Sequence, residues 1–132
     1  MAKAKKVKQL SFSMPNRAGL LSEVATAVAA AKVNIYAICA YEQEENAYFI
    51  LTTDSIAKSK KALTKLKIKT KEDEVVVVEM PNKAGELQKI VEKIADAGIN
   101  INYMYGTTGT GRVSVCIFKT SDNRKAVRVI NS

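Results

Sequence analysis

The sequence predicts an α+β protein of two β-α-β-β-α-β repeats, each an antiparallel sheet with helices, the second repeat lacking its last strand. Three observations predict it. First, Met14-Pro15-Asn16-Arg17-Ala18-Gly19-Leu20-Leu21 returns 66 positions later as Met80-Pro81-Asn82-Lys83-Ala84-Gly85-Glu86-Leu87. The match runs on without a gap to Val33-Asn34-Ile35 and Ile99-Asn100-Ile101, with ten of 22 positions identical. Chance seldom gives that density at one offset. Second, stretches of two-residue apolar alternation flank stretches of helical period. Third, the last helical pattern runs to Ser132, with no alternating stretch after it.

Val7–Ser13 alternates, Leu10 and Phe12 against Gln9 and Ser11, as a half-buried strand does. Pro15 stops it, because proline cannot donate to a ladder. Asn16–Gly19 is a tight turn, where glycine permits angles or close approaches that a side chain forbids. Leu20–Ala31 reads as a helix with an apolar face of Leu21, Val24, Ala25 and Val28. Val33–Glu42 and Ala47–Thr53 read as strands joined by a hairpin turn at 42–46. Asp54 or Ser55 caps a second helix, with Ile56, Ala62 and Leu63 facing in. Leu66–Thr70 alternates as a fourth strand, which completes the split βαβ, or ferredoxin-like, pattern.

The second copy opens on Glu74–Met80, where valines at 75, 76, 77 and 78 point to burial on both faces. Its helix carries Leu87, Ile90, Val91, Ile94 and Ala95 on one face, and Gly98 ends it as a C-terminal cap. Ile99–Tyr105 and Arg112–Lys119 form a hairpin around a glycine-rich connection, Gly106–Gly111. Asp122 caps a last helix containing Ala126, Val127 and Ile130. The division follows as 1–71 and 72–132. About three residues separate strand 66–70 from strand 74–80, a span of at most ~13 Å. The two strands are therefore expected to pair, with 66–70 shared by both copies in one seven-stranded sheet. Tyr36, Ile38, Tyr48, Ile50 and Phe118 are assigned to the face the helices leave open.

The bulk properties narrow the function. The chain has 132 residues, 47% hydrophobic and 26% charged, the balance of a globular protein. No apolar run approaches the ~20 residues of a membrane span. The basic start, Met1–Lys6, reads as a frayed terminus, not a signal peptide, so a cytoplasmic location is expected. Cys39 and Cys116 lie in predicted strands and read as buried, reduced thiols. There is no histidine, which removes the commonest general base and transition-metal ligand. No catalytic residue, metal ligand or cofactor is expected. The net charge of +8 gathers in Lys58, Lys60, Lys61, Lys65, Lys67, Lys69 and Lys71, read as the solvated face of a helix and strand; a surface for nucleic acid or an acidic partner is the other reading.

The duplicated turn has the parts of a small anion site. A helix start offers unsatisfied N–H groups and a partial positive charge, and Gly19 or Gly85 lets a carboxylate reach them. Asn34 and Asn100 sit beyond the far end of the helix in their own copy, so they reach such a ligand only from a neighbouring unit. Their carboxamides donate and accept, which suits both ends of a free amino acid. Each asparagine also has a purely structural reading, as a turn, cap or strand-start residue.

The run Pro-Asn-Arg/Lys-Ala-Gly-x-Leu, an apolar-faced helix, and x-Asn-Ile opening a strand resembles the ACT domain, in tandem over nearly the whole chain. The resemblance implies a regulatory protein of ferredoxin-like fold that binds an amino acid between the first turn of one unit and the second strand of a neighbour. The implied ligand-binding residues are Asn16, Arg17, Ala18, Gly19, Leu20, Asn34 and Ile35 in copy one. In copy two they are Asn82, Lys83, Ala84, Gly85, Asn100 and Ile101. The chain departs from the family with Ala18 and Ala84 where proline is common, and with Asn16 and Asn82 where aspartate is. Glu86 replaces Leu20 and would repel a carboxylate, which favours copy one.

The expected partners are an amino-acid effector and a second copy of the chain, as a homodimer, with no membrane. Two other classes stay open. A ligand-free pairing module predicts oligomers without any amino-acid response. An RNA-binding domain shares the fold, but needs aromatics in a consensus on strands one and three, and strand one offers Phe12 alone. Gly106–Gly111 resembles a phosphate loop in composition only, since it joins two strands and lacks the Gly-Lys-Ser/Thr ending.

Overall fold

A computed structural model describes residues 2–108 and 110–132. It divides into two compact units, one of Lys8–Asp73 and one of Glu74–Ser132 with the start of the chain through Val7. Both cuts fall within strands, β1 (Lys3–Pro15) and β4 (Lys71–Pro81).

In the unit Lys8–Asp73, β1 is followed by α1 (Leu20–Ala30), β2 (Ile35–Gln43), β3 (Asn46–Thr53) and α2 (Ile56–Lys65). β3 pairs antiparallel with β1, Leu10 opposite Leu51 and Phe12 opposite Phe49, and with β2, Ala40 opposite Phe49. Period-two alternation puts Leu10, Phe12, Ala47, Phe49 and Leu51 on one face. There they meet Leu20, Val24 and Val28 of α1 and Leu63 of α2. The buried stripe of α1 is thus Leu20–Val24–Val28, at i, i+4 and i+8. Leu21 and Ala25, expected inside, are exposed. The β2–β3 turn is two residues, Glu44 and Glu45, both at positive φ, 50° and 70°. That is a type I′ hairpin, a turn that favours Asn-Gly.

The expected strand at Leu66–Thr70 is absent. Leu66 is the C-cap of α2, Lys67 takes φ 61°, and the Lys67 and Ile68 N–H groups donate back to Thr64 O and Leu63 O. This is a Schellman motif, and Ile68 is buried with Leu63 as its hydrophobic contact. Leu66 and Ile68 alternate because one is exposed and the other closes a helix end. The seven-stranded sheet with a shared 66–70 therefore gives way, among the described residues, to three strands in each unit, β2-β3-β1 in one and β4-β6-β5 in the other. Lys32 and Gly98 end α1 and α3 in the same way, at φ 58° and 70°.

In the other unit, β4 is followed by α3 (Glu86–Asp96), β5 (Ile101–Thr107), β6 (Val113–Thr120) and α4 (Asn123–Asn131). β6 pairs antiparallel with β4, Val78 opposite Cys116, and with β5, Met104 opposite Phe118. The core joins Val76, Val78, Met80, Cys116 and Phe118 to Ile90 and Ile94 of α3 and Ala126 and Ile130 of α4. Val75 is also fully buried, so β4 is covered on both sides. Leu87 of α3 is exposed and Val91 only partly buried.

Residues 3–6 are strand, not a frayed end. Ala4 lies in this core, and the Asn131 carboxamide closes on its backbone, Ala4 N–H donating to Oδ1 at 2.8 Å and Nδ2 donating to Ala4 O at 2.9 Å. Phe118, assigned to the open face, is fully buried in the helix-covered core. Ile38 stands opposite Leu51, on the helix side, and is exposed only because β2 is an edge strand. Tyr48 and Ile50 do take the other face. Cys116 is buried, while Cys39 is half-buried; both are free. Part of the glycine-rich connection, Gly109, lies outside the described residues.

Candidate functional site

Each copy brings a strand out through proline into a four-residue turn whose last residue is the helix N-cap. Gly19 holds φ 85° and Gly85 φ 86°, both left-handed, and neither helix start has a side-chain cap. A Cβ at either glycine would meet nothing within 4 Å. The glycines are therefore required by backbone angle, not by crowding. Leu20 N–H donates to Arg17 O at 3.3 Å and Glu86 N–H to Lys83 O at 3.4 Å. The turn folds onto itself while its glycine faces solvent. Asn16, Arg17, Ala18 and Gly19 are exposed, as are Asn82, Lys83, Ala84 and Gly85; Leu20 alone of the first set is buried.

The two turns differ in what braces them. Asn16 N–H donates to Glu45 O at 2.9 Å, and its carboxamide donates to Glu42 Oε2 at 3.0 Å. Copy one thus rests on the tip of the acidic hairpin. Arg17 pairs with Glu23. The hydrogen bond from Arg17, with its charge, lowers the Glu23 pKa, and Glu23 raises that of Arg17. In copy two, Asn82 N–H donates to Arg112 O at 2.8 Å, its carboxamide donates to Gly111 O at 3.0 Å, and Ser114 Oγ donates to its Oδ1 at 3.1 Å. Asn82 is consumed in bracing the start of β6. Glu86, at the first position of α3, pairs with Lys89 at 3.1 Å, which offsets its repulsion of an anion.

Asn34 and Asn100 lie beyond the opposite helix ends. α1 and α3 are each 11 residues long, about 16 Å at 1.5 Å per residue. The structure therefore brings Asn16–Leu20 together, and Asn82–Gly85 together. It keeps Asn34–Ile35 and Asn100–Ile101 apart from the turn of their own copy. Their main chains are held alike. Asn34 N–H donates to Asp54 Oδ1 and Asp54 N–H to Asn34 O; Asn100 N–H donates to Ser121 Oγ and Ser121 N–H to Asn100 O. Both carboxamides are exposed and make no hydrogen bond among the described residues. Ile35 and Ile101 are half-buried and pack on their cores.

Two residues escaped the sequence reading. Leu21 and Leu87 are 52% and 43% exposed, two residues after each glycine. Their helical spacing argued for the core. The signal that could have found them is the repeat itself, which keeps leucine at an exposed position in both copies.

Among the described residues no group of three His, Cys, Asp or Glu side chains could hold a metal. No described helix is long and apolar enough to cross a membrane.

A family model described as an ACT domain pair matches residues 5–132. No curated protein matches. Among solved structures, a Bacteroides thetaiotaomicron protein aligns with a TM-score of 0.88 at 27% identity, over 97% of this chain and 88% of its own. The ligand-free regulatory subunit of aspartate kinase from Thermus thermophilus aligns with a TM-score of 0.66 at 17% identity, over 97% and 94%. Escherichia coli aspartokinase III, solved with lysine and aspartate, aligns with a TM-score of 0.56 at 17% identity, over 98% of this chain and 31% of its own.

Proposed function

The chain belongs to the ACT domain pair family, and from that premise we propose that it is a regulatory protein, not an enzyme, that binds a free amino acid at its glycine turns. One observation carries the reading. Two helix starts hold a glycine at the same left-handed angle, uncapped and open on the Cβ side. Main-chain N–H groups and the helix dipole there favour a carboxylate. In copy one the Glu42 carboxylate and Glu45 carbonyl, already drawn to Asn16, supply acceptors for an ammonium group. Copy one is the better site, because Asn82 spends both ends of its carboxamide on Gly111 and Ser114, whereas Asn16 donates only from Nδ2, and Leu20 brings no charge to the helix start where copy two has the Lys89-paired Glu86.

The carboxamides of Asn34 and Asn100 complete a turn belonging to a second chain, so the binding form is a homo-oligomer, a dimer in the simplest case. Arg17, Ala18, Leu20, Lys83 and Ala84 shape the turn; Ile35 and Ile101 seat the asparagines. Two free cysteines suit a reducing, cytoplasmic setting. The test is a thermal-shift screen of the twenty amino acids at millimolar concentration. A ligand at 100 times its Kd stabilises by about 2.7 kcal/mol. We expect one amino acid, or one chemical class, to raise the melting point. Absence of any rise leaves the ligand-free pairing module as the function.

A further inference from the structure

The unit Lys8–Asp73 carries a hollow of about 360 Å³ between α1 and α2. Alanine lines it, from Ala27, Ala30, Ala31 and the buried Ala62. Its rim is lysine, from Lys58, Lys61 and Lys65. The lysines recur at i, i+3 and i+7, one stripe of α2 about 10 Å long. α2 contains no acidic residue. Lys60 pairs with Glu72, but Lys58, Lys61 and Lys65 have no ion pair or side-chain hydrogen bond among the described residues. Leu66, 38% exposed, gives the hollow an apolar end.

The repeat provides an internal control. Ala27 corresponds to Lys93, and Ala30 to Asp96, at the same offset of 66. Lys58 corresponds to Lys125, since each stands three residues after a helix cap that accepts its N–H. In the second unit these lysines are spent internally. Lys93 Nζ donates to Ser132 O at 3.1 Å and to Ile130 O at 3.4 Å, and Lys125 Nζ donates to Ala97 O at 2.9 Å. One copy ties these amines to its own carbonyls. The other has Ala27 in the place of Lys93 and leaves its amines unspent.

We infer that this groove receives an acidic amphipathic helix of another protein, the one through which the regulator is read out. Alanines permit close approach of a third helix, towards the short end of the usual 8–10 Å spacing. Carboxylates one turn apart on that helix would meet the lysine stripe, a helix-in-groove mode. The described helices offer no such occupant. The acidic hairpin tip, Glu44-Glu45, has no apolar side chain, and the acidic residues of α3 alternate with Lys89 and Lys93. A nucleic-acid strand would use the lysines but gain nothing from the alanine lining.

The experiment titrates the full chain with a labelled synthetic helix of about 18 residues. It carries glutamates along one stripe and leucine and alanine along the next, with single-stranded poly-uridine of equal charge as comparison. Two variants are measured, each checked for an unchanged melting curve. Ala27→Lys copies the second unit and fills the groove while raising the net charge. Lys61→Gln/Lys65→Gln removes the rim. We expect the peptide to bind and both variants to weaken it by roughly tenfold or more, while Ala27→Lys leaves RNA binding level or stronger. Peptide binding unchanged by Ala27→Lys would reduce the effect to net charge and overturn the groove. So would poly-uridine binding more tightly than the peptide, or no peptide binding at millimolar concentration.

Discussion

Replacing Gly19 or Gly85 separates what the turn needs for folding from what it needs for binding. Both glycines sit at φ near +85°, and a Cβ at either meets no atom within 4 Å. Alanine there brings no clash, only the left-handed penalty of about 1–2 kcal/mol. The unfolded chain returns roughly 0.4–1 kcal/mol by losing glycine's freedom. The net cost is about 1 kcal/mol per site, or a fall of roughly 4 °C in a domain of this size. Asparagine, which tolerates the left-handed region, should cost about half as much, and valine more than alanine. The two sites lie in different units, so the double variant should be additive within ~0.5 kcal/mol. Urea and thermal melts give these values. Ligand response should follow a different order. Any side chain stands where the carboxylate approaches, so Gly19→Asn stays folded yet loses the melting rise given by the amino acid. A neutral Gly19→Ala, or asparagine as costly as alanine, would refute the angle argument. A retained response in Gly19→Asn would refute the close approach.

Three further outcomes follow from particular contacts. Asn131→Ala should cost about 1–3 kcal/mol, because it strands both backbone groups of Ala4; hydrogen exchange should quicken in residues 74–132 before it does in 8–73. Glu44→Asn with Glu45→Gly should stabilise by about 1 kcal/mol in denaturant melts, since both positions are left-handed. The Glu23 pKa is lowered in the fold by Arg17. Its contribution is therefore present above the ordinary carboxylate range and lost as pH falls through the lowered value. Glu23→Gln should flatten the acid limb of the stability profile, slightly, because the pair is exposed.

The duplicated turn was legible in the sequence because proline, glycine and a following helical period each report a local constraint, and the repeat states it twice. The cap at Asp122 was legible for the same reason, and that at Ser55 as one of two neighbouring candidates with Asp54. Leu66–Thr70 was misleading. A helix ending on Lys67 at positive φ offers no glycine to announce it, and its buried Ile68 mimics a strand residue. The start of β1 was hidden by charge. Ala2 and Ala4 alternate with Lys3 and Lys5, but alanine is a weak apolar signal, and what holds Ala4 is Asn131, 127 residues away. The partners of Asn16 and Asn82, Glu42 and Gly111, lie 26 and 29 residues away, also beyond local patterning. The open groove beside Lys58 was legible only by setting the copies against each other.

Amino-acid binding requires main-chain amides at the two glycine turns to receive a carboxylate. The direct measurement is a titration of isotope-labelled full chain with the amino acid that gives the largest melting rise, following amide resonances. Saturable shifts concentrated at Gly19–Ser22, with a weaker set at Gly85–Gln88 and an answering set at Asn34 or Asn100, are the expected result. Shifts gathered anywhere else, with Gly19 and Gly85 unmoved at saturation, would contradict it.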